Sequence, residues 1–176
     1  MLGSLITSKT RIKLLLKFFL NSSMKAHLRG LADEFEESTN AIRLELNHLE
    51  HAGLLRSESE GNKKVYQANL NHPLYKDIHS LVLKHSGITQ IIDEIIIGVG
   101  DITKVWIKGN FAAGKDSPLI ELIIVCQNID ENYFISLVRK AENLVKRKIN
   151  YIFITPDHET EYLSLCDKIL LVWEKE

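Results

Sequence analysis

Cysteine is scarce in this chain, and the two that occur lie far apart. Cys126 and Cys166 both sit in apolar stretches, and neither belongs to a Cys-x-x-Cys pair or lies near a pair of histidines. Disulfide frameworks and structural zinc sites need cysteines at close, repeated spacings. We therefore expect no disulfide, no metal site and no cofactor, and a reducing compartment.

Long apolar runs are also missing. No stretch reaches the roughly 18 apolar residues that cross a bilayer. The apolar string from Leu14 to Leu20 is interrupted by Lys17 and lacks a small-residue cleavage pattern, so it is typical of a core helix and not of a signal peptide. The sequence contains no internal repeat and no low-complexity segment. We expect a cytoplasmic protein that makes no membrane contact.

A strong charge imbalance is absent, because the formal net charge is −1 at pH 7. This balance excludes a protein that holds nucleic acid by bulk positive charge alone. The halves nevertheless differ. Residues 1–90 carry 12 Lys and Arg against 9 Asp and Glu, a net of +3, whereas residues 91–176 carry 10 against 14, a net of −4. The asymmetry places a DNA-facing role in the first half.

Hydrophobic spacing divides the chain at Ser86-Gly87. Before this point the pattern predicts helices over residues 10–20, 27–36, 39–52 and 74–85, with strands over 54–60 and 64–68. After it the pattern predicts helices over 88–99, 130–148 and 159–165, with strands over 104–108, 119–126, 151–155 and 168–173. The run Leu119–Cys126 is nearly all apolar, which is typical of a strand buried on both faces. Lys146, Arg147 and Lys148 are predicted to end the long helix, where cations favour the dipole.

The most informative segment runs from Ser38 to Tyr66. Ser38 and Thr39 can cap a helix, Ile42, Leu46 and Leu49 would form its apolar stripe, and Gly53 can end it. A polar turn with lysines then separates two short strands. A capped amphipathic helix followed by a basic hairpin predicts a winged helix-turn-helix, a motif that places one helix in a DNA groove.

Seven polar residues are the predicted DNA contacts: Thr39, Asn40, Arg43, Asn47, Asn62, Lys63 and Lys64. The first four lie opposite the apolar stripe on helical geometry. Arginine can read guanine and asparagine can read adenine through paired hydrogen bonds, whereas threonine serves phosphates. The hairpin residues would reach neighbouring phosphates or the minor groove. The alternative for Arg43 and Asn47 is that they only solvate a surface helix. Leu44 lies on the same side, and it contacts either a thymine methyl group or the second half.

Residues from about 8 to 85 resemble a winged-helix transcriptional regulator of the arsenic-repressor-like type. Three motifs carry the resemblance: Leu28-Arg29-Gly30-Leu31-Ala32, Leu46–Leu55 and Gly61–Tyr66. It implies a homodimer on near-palindromic double-stranded DNA, associated through the first and last helices of the domain, here Arg11–Leu20 and Leu74–His85. Metal-sensing members carry cysteines in the helix equivalent to His27–Asn40, and this chain has none there. Metal sensing is therefore not implied.

The second half, from about Ile88 to Val172, resembles a minimal nucleotidyltransferase, with the signature spanning Trp106–Val125. In that family a glycine-serine loop approaches the triphosphate, and paired carboxylates on the next strand hold two Mg²⁺ ions. The fold class is thus predicted as α+β: a winged helix-turn-helix over residues 1–86, followed by a small α/β nucleotidyltransferase-like domain over residues 87–176.

The residues that would carry this chemistry are mostly replaced. Asn110 stands at the family's serine, Leu119 at its first aspartate, Glu121 at its second and Asn150 at its third carboxylate position. One acidic side chain cannot hold two divalent cations against their hydration. The domain is therefore predicted not to be an enzyme, with no catalytic residue.

The loop after the first strand of this domain contains Gly109, Asn110 and Gly114. Its backbone amides could bind an anion or a nucleotide, and a tight turn between two strands is the alternative. We expect a DNA-binding transcriptional regulator whose second domain supports the dimer, senses a small-molecule or nucleotide effector, or contacts a partner. A nucleotidyltransferase targeted to DNA and a protein-interaction module are the rival functions.

Overall fold

The computed structural model describes residues 6–96, 99 and 101–175. Contacts divide the chain into two units, Met1–His85 and Ser86–Glu176. The described residues form seven α-helices, a short 3₁₀ turn, a three-stranded sheet and a four-stranded sheet. The predicted α+β fold class is confirmed. In the described ranges, no helix combines the length and the apolar character that crossing a membrane requires.

The first unit has the element order of a winged helix. It comprises α1 (Lys9–Phe19), β1 (Ala26–His27), α2 (Leu28–Phe35), α3 (Thr39–His51), β2 (Leu55–Glu60), β3 (Lys63–Ala68) and α4 (Tyr75–Ser86). Its antiparallel sheet has the strand order β1-β3-β2. We call the hairpin of β2, β3 and the turn between them the wing.

The start and the buried side of α3 agree with the sequence pattern. The side-chain oxygen of Ser38 accepts a hydrogen bond from the Ala41 amide, as an N-cap does. Ile42, Leu46 and Leu49 are all buried, so the predicted apolar stripe is confirmed. The polar residues between them are consequently turned away from the core of the first unit.

The end of α3 depends on Gly53, whose φ is +73°. The Leu54 amide donates to the Leu49 carbonyl at 2.9 Å, and the Gly53 amide donates to the Glu50 carbonyl at 2.8 Å. This pair of bonds is the Schellman arrangement, in which a left-handed residue lets the chain satisfy the last helical carbonyls. The helix therefore ends where the sequence predicted, and the chain turns directly into the wing.

A carboxylate fixes α3 against α1. Glu45 accepts hydrogen bonds from Arg11 Nε at 2.7 Å and from Ser8 Oγ at 2.6 Å. Burial opposes ionisation of Glu45, but the bonds from Ser8 and Arg11 outweigh that effect and lower the pKa of the carboxyl group. The ionised carboxylate thus links the first and third helices of the unit.

The second unit alternates helices and strands: α5 (Ile88–Ile96), β4 (Ile102–Lys108), β5 (Leu119–Cys126), α6 (Glu131–Val145), β6 (Lys148–Ile154), a 3₁₀ turn (Pro156–His158), α7 (Glu159–Ser164) and β7 (Ile169–Glu174). The strand order is β6-β5-β4-β7, with β5 and β6 parallel and the other pairs antiparallel. Strand β5 is interior, and most of its residues are buried. The prediction of a strand buried on both faces is confirmed.

The long helix of this unit is shorter than predicted. It ends at Val145, because Lys146 adopts a left-handed conformation with φ of 57°. Lys148 already belongs to β6, and its amide donates to the Pro118 carbonyl at 2.9 Å. The prediction that residues 146–148 end the helix is therefore wrong, since Lys146 is left-handed and Lys148 pairs with the neighbouring strand. For the predicted helix over 88–99, residues 97 and 98 lie outside the described residues.

The wing has a shorter turn than the sequence indicated. Strand β3 begins at Lys63, which pairs with Glu60, so the connection is the two-residue turn Gly61-Asn62. Gly61 has φ of +60°, a conformation that two-residue hairpin turns require and that glycine adopts without strain. Lys63 consequently projects from a strand next to the turn, and its position is fixed by the sheet.

Candidate nucleic-acid interface

The residues of α3 opposite its apolar stripe are exposed. Thr39, Asn40, Arg43 and Asn47 are all exposed, and Leu44 among them keeps 53% of its surface exposed. An exposed leucine on a polar helix face can contact a thymine methyl group. This face therefore carries the hydrogen-bonding groups and the apolar contact that reading base edges requires.

A groove of about 780 Å³ lies between α3 and the wing. We call it the wing groove, and the residues that line it are His27, Leu28, Arg29, Arg43, Asn47, Asn62, Lys63, Lys64 and Tyr66. Five of the seven predicted DNA contacts meet here. The other two, Thr39 and Asn40, are outside the lining, at the start of the same helix.

The wing groove is strongly cationic. Four basic side chains line it, Arg29, Arg43, Lys63 and Lys64. No carboxylate lines it in the described chain, although Lys64 is paired with the nearby Glu50 carboxylate. A concave surface with charge of one sign concentrates counter-ions. The wing groove thus has the chemistry that attracts a phosphate backbone, although the net charge of the whole chain is −1.

Arg29 is the residue of this surface that the sequence pattern did not assign to DNA contact. It is exposed, it is the second residue of α2, and it lies in the same groove as Arg43. The only signal for Arg29 in the sequence is that it belongs to the motif Leu28–Ala32. Because the wing groove is formed by elements distant in sequence, no local spacing indicates this neighbour.

The wing is fixed to α3 by Glu50. Its carboxylate accepts hydrogen bonds from Lys64 Nζ at 2.7 Å and from Ser57 Oγ, which lie on the two strands of the wing. The bond from Lys64, followed by the one from Ser57, lowers the pKa of Glu50, and the bond to Glu50 raises the pKa of Lys64. Lys64 also lies 5.1 Å from the centre of the Tyr66 ring. The charge of Lys64 is therefore largely compensated.

The neighbouring lysine has a different environment. Lys63 is exposed, and no ion pair to it occurs within the described parts of the chain. Arg29 and Arg43 likewise make no ion pair in these ranges. These three side chains, unlike Lys64, have no carboxylate partner in the described chain.

The start of α2 is fixed by a histidine cap. His27 Nδ1 accepts a hydrogen bond from the Gly30 amide at 2.9 Å. A Cβ atom at Gly30 would lie 2.9 Å from Cε1 of the same ring, closer than real contacts allow. A side chain at position 30 would therefore displace the His27 ring, whose cap orients the first turn that carries Arg29.

The glycine loop of the second unit is a closed turn. Gly109 and Gly114 both have φ of +72°. Three loop amides donate to carbonyl oxygens of the same loop, at 2.9 to 3.0 Å: Ala113 to Gly109, Gly114 to Phe111, and Lys115 to Asn110. Amides engaged in this way are not offered to an anion. These bonds are those of a tight turn, which the sequence left open beside an anion-binding loop at Gly109, Asn110 and Gly114.

The positions of the family's metal ligands come together on the sheet. Glu121 on β5 is the register partner of Asn150 on β6, and Leu119 lies two residues before it on the same face. The Glu121 carboxylate rests against the loop, since a Cβ at Gly109 would lie 2.2 Å from Glu121 Oε2. Among the residues described, no three His, Cys, Asp or Glu side chains converge as a metal site would need.

Comparisons with known proteins add only weak likenesses. No protein-family model matches the sequence, and the comparison with curated proteins finds no match. Reduced HlyU from Vibrio cholerae N16961 has 19% identity and a TM-score of 0.38, over 47% of this chain and 82% of that one. A protein from Sulfolobus solfataricus, described as a candidate nucleotidyltransferase, has 15% identity and a TM-score of 0.39, over 61% of this chain and 94% of that one. Likenesses at this level assign no function.

Proposed function

We propose that this chain is a DNA-binding transcription regulator that contacts duplex DNA through α3 and the wing. The observation that carries the proposal is the wing groove. It gathers Arg43, Asn47, Asn62 and Lys63 around one concave surface without a carboxylate. A polar helix face beside a cationic groove supplies both base readout and phosphate contact.

Each side chain has a role that follows from its chemistry. Arg43 and Asn47 project from the exposed face of α3 and read base edges in the major groove, with Asn40 at the start of the helix. Thr39 donates to a phosphate. Asn62 and Lys63 at the tip of the wing contact the phosphate backbone. Lys64 acts mainly by holding the wing to Glu50.

The protein acts as a homodimer in this proposal, as the resemblance to winged-helix regulators implies. One recognition helix reads only a few base pairs, so two helices related by a two-fold axis are needed for a site of useful length. The operator is then a near-palindrome with half-sites about one helical turn apart. Sedimentation of the full chain with and without DNA measures this stoichiometry.

Selection of bound duplexes from a random pool, using the full chain, tests the proposal directly. The expected result is enrichment of a near-palindromic sequence, which the protein then binds more tightly than a scrambled duplex in a fluorescence anisotropy titration. A pool that shows no enrichment, together with no binding to any duplex at low salt, would contradict DNA reading. It would favour the protein-interaction alternative.

We further propose that the second unit is not catalytic. Leu119 and Asn150 stand at two carboxylate positions of the family signature, and Glu121 alone supplies an acid. The rival, a nucleotidyltransferase directed to DNA, finds support in the retained contact between Glu121 and Gly109. Incubation with nucleoside triphosphates, Mg²⁺ and duplex DNA separates the two, because release of pyrophosphate is expected only from the enzyme.

A further inference from the structure

A row of three polar side chains crosses the sheet of the second unit. Lys108 on β4 is the register partner of Glu121 on β5, and Glu121 is the partner of Asn150 on β6. Directly paired residues of neighbouring strands project from the same face, with their Cβ atoms about 5 Å apart. An ammonium, a carboxylate and an amide are therefore placed side by side.

The two opposite charges of this row do not pair with each other. No ion pair within 4.0 Å joins Lys108 to Glu121 in the described residues. Lys108 Nζ instead lies 6.0 Å from the centre of the Tyr162 ring, on α7, and the Glu121 carboxylate rests against Gly109. Both charged side chains belong to half-buried residues, where a charge without a counter-charge is costly.

The space beside this row is a cavity of about 350 Å³. Lys108, Glu121 and Asn150 line it together with Ile152, which follows Asn150 on the same face of β6. Small-molecule sites typically have volumes of ~300–1,000 Å³, so this cavity suits a small metabolite. Its lining presents both charges, a hydrogen-bonding amide and the apolar residues Leu122, Ile149, Tyr151 and Ile152.

We infer that this cavity binds a small zwitterion, an α-amino acid with an aliphatic side chain. The ammonium of the ligand pairs with Glu121, its carboxylate pairs with Lys108 and accepts from the Asn150 amide, and its side chain lies towards Ile152. Such a ligand supplies both counter-charges that the row lacks. The inference concerns the second unit alone and does not depend on DNA binding.

Isothermal titration of the full chain with glycine, L-alanine and L-leucine tests the inference. L-leucinamide lacks the carboxylate and 4-methylpentanoate lacks the ammonium, so these two compounds are matched controls for L-leucine. The expected result is saturable binding of L-leucine, tighter than that of glycine. Each control should bind roughly tenfold more weakly or worse, because each loses one charge-assisted contact.

Substitutions of the lining residues test whether L-leucine binds in this cavity. Glu121→Gln and Lys108→Met should each weaken L-leucine binding by about tenfold or more. Asn150→Asp changes an exposed residue, so folding is retained, and its added negative charge should repel the ligand carboxylate. Lys168→Met, at an exposed residue outside the lining, should bind as the unchanged chain does. Thermal melts of each variant report whether it is folded.

Three results would overturn the inference. The first is that no amino acid binds the folded chain at millimolar concentration. The second is that L-leucinamide or 4-methylpentanoate binds as tightly as L-leucine, since the paired charges would then have no role. The third is that Asn150→Asp, while folded, binds L-leucine with unchanged affinity.

Discussion

Glu50 on α3 and Lys64 on the wing form an ion pair, with 2.7 Å between Oε2 and Nζ. This contact gives two adjacent lysines different roles. Lys64 is held by a carboxylate of α3, whereas Lys63 is exposed beside the turn of the wing. The sequence treats the two residues alike, and the structure distinguishes them.

The distinction predicts different salt dependences for two matched variants. Lys63→Ala should reduce the slope of log affinity against log salt by about 2, because each protomer of the proposed dimer loses one phosphate contact. Lys64→Ala should change the slope less, since its charge is already compensated, but should lower the free energy of unfolding by up to ~1 kcal/mol. Anisotropy titrations over a range of salt concentrations, with urea denaturation, measure both. Equal slope changes would show that Lys64 contacts DNA as Lys63 does.

Arg29, at the start of α2, is predicted to contact a phosphate in the wing groove. Arg29→Ala should weaken binding to every duplex by a similar factor and reduce the salt slope by about 2, one contact per protomer of the proposed dimer, without changing the preferred sequence. Arg56→Ala removes an exposed arginine of β2 that does not line the wing groove, so it is the control. If the two variants behave identically, Arg29 has no specific place in the interface.

The link between α1 and α3 predicts loss of stability in acid. The pKa of Glu45 is lowered in the folded chain, so the carboxylate stabilises the fold above its ordinary pKa of 4.5. This contribution disappears as the pH falls through the lower, folded value. Glu45→Gln should therefore flatten the decline of unfolding free energy below about pH 4.5. Glu58→Gln, at an exposed wing residue, is the control. If the unfolding free energy of Glu45→Gln declines with falling pH as steeply as that of Glu58→Gln, the link between α1 and α3 is contradicted.

Glu36 provides a prediction about backbone strain. It has φ of 56° between α2 and α3, in the left-handed region that side chains disfavour at a cost of ~1–3 kcal/mol. Glu36→Gly should raise the free energy of unfolding by about 1 kcal/mol. Asp33→Gly, in the exposed interior of α2, should lower it by about 1 kcal/mol. Chemical denaturation that finds the same sign for both changes would contradict a strained turn.

Local sequence rules predict most of the first unit. Ser38, the stripe from Ile42 to Leu49 and Gly53 define α3, because capping, burial and the left-handed stop are each local effects. Turn length was less predictable, and Lys63 proved to be a strand residue. Pairing between strands decides where a strand begins, and the conformational preference of a single residue does not predict that pairing.

The neighbours that complete each candidate site were not predictable. Arg29 joins Arg43 only after α2 and the wing pack around α3, and Lys108 meets Glu121 only through the register of β4 and β5. Likewise, the carboxyl end of α6 depends on where β6 begins to pair with β5. These are contacts between residues distant in sequence, which periodicity does not encode.

The central claim is that α3 reads bases, and Arg43 tests it most directly. Anisotropy competition between the selected duplex and single-base variants of it measures the preference of the protein at each position. For Arg43→Ala we expect the preference at one base pair of each half-site to fall by ~1–3 kcal/mol, while Arg56→Ala keeps the full preference. An Arg43→Ala protein that is folded and discriminates between the duplexes as well as the unchanged chain would contradict the account.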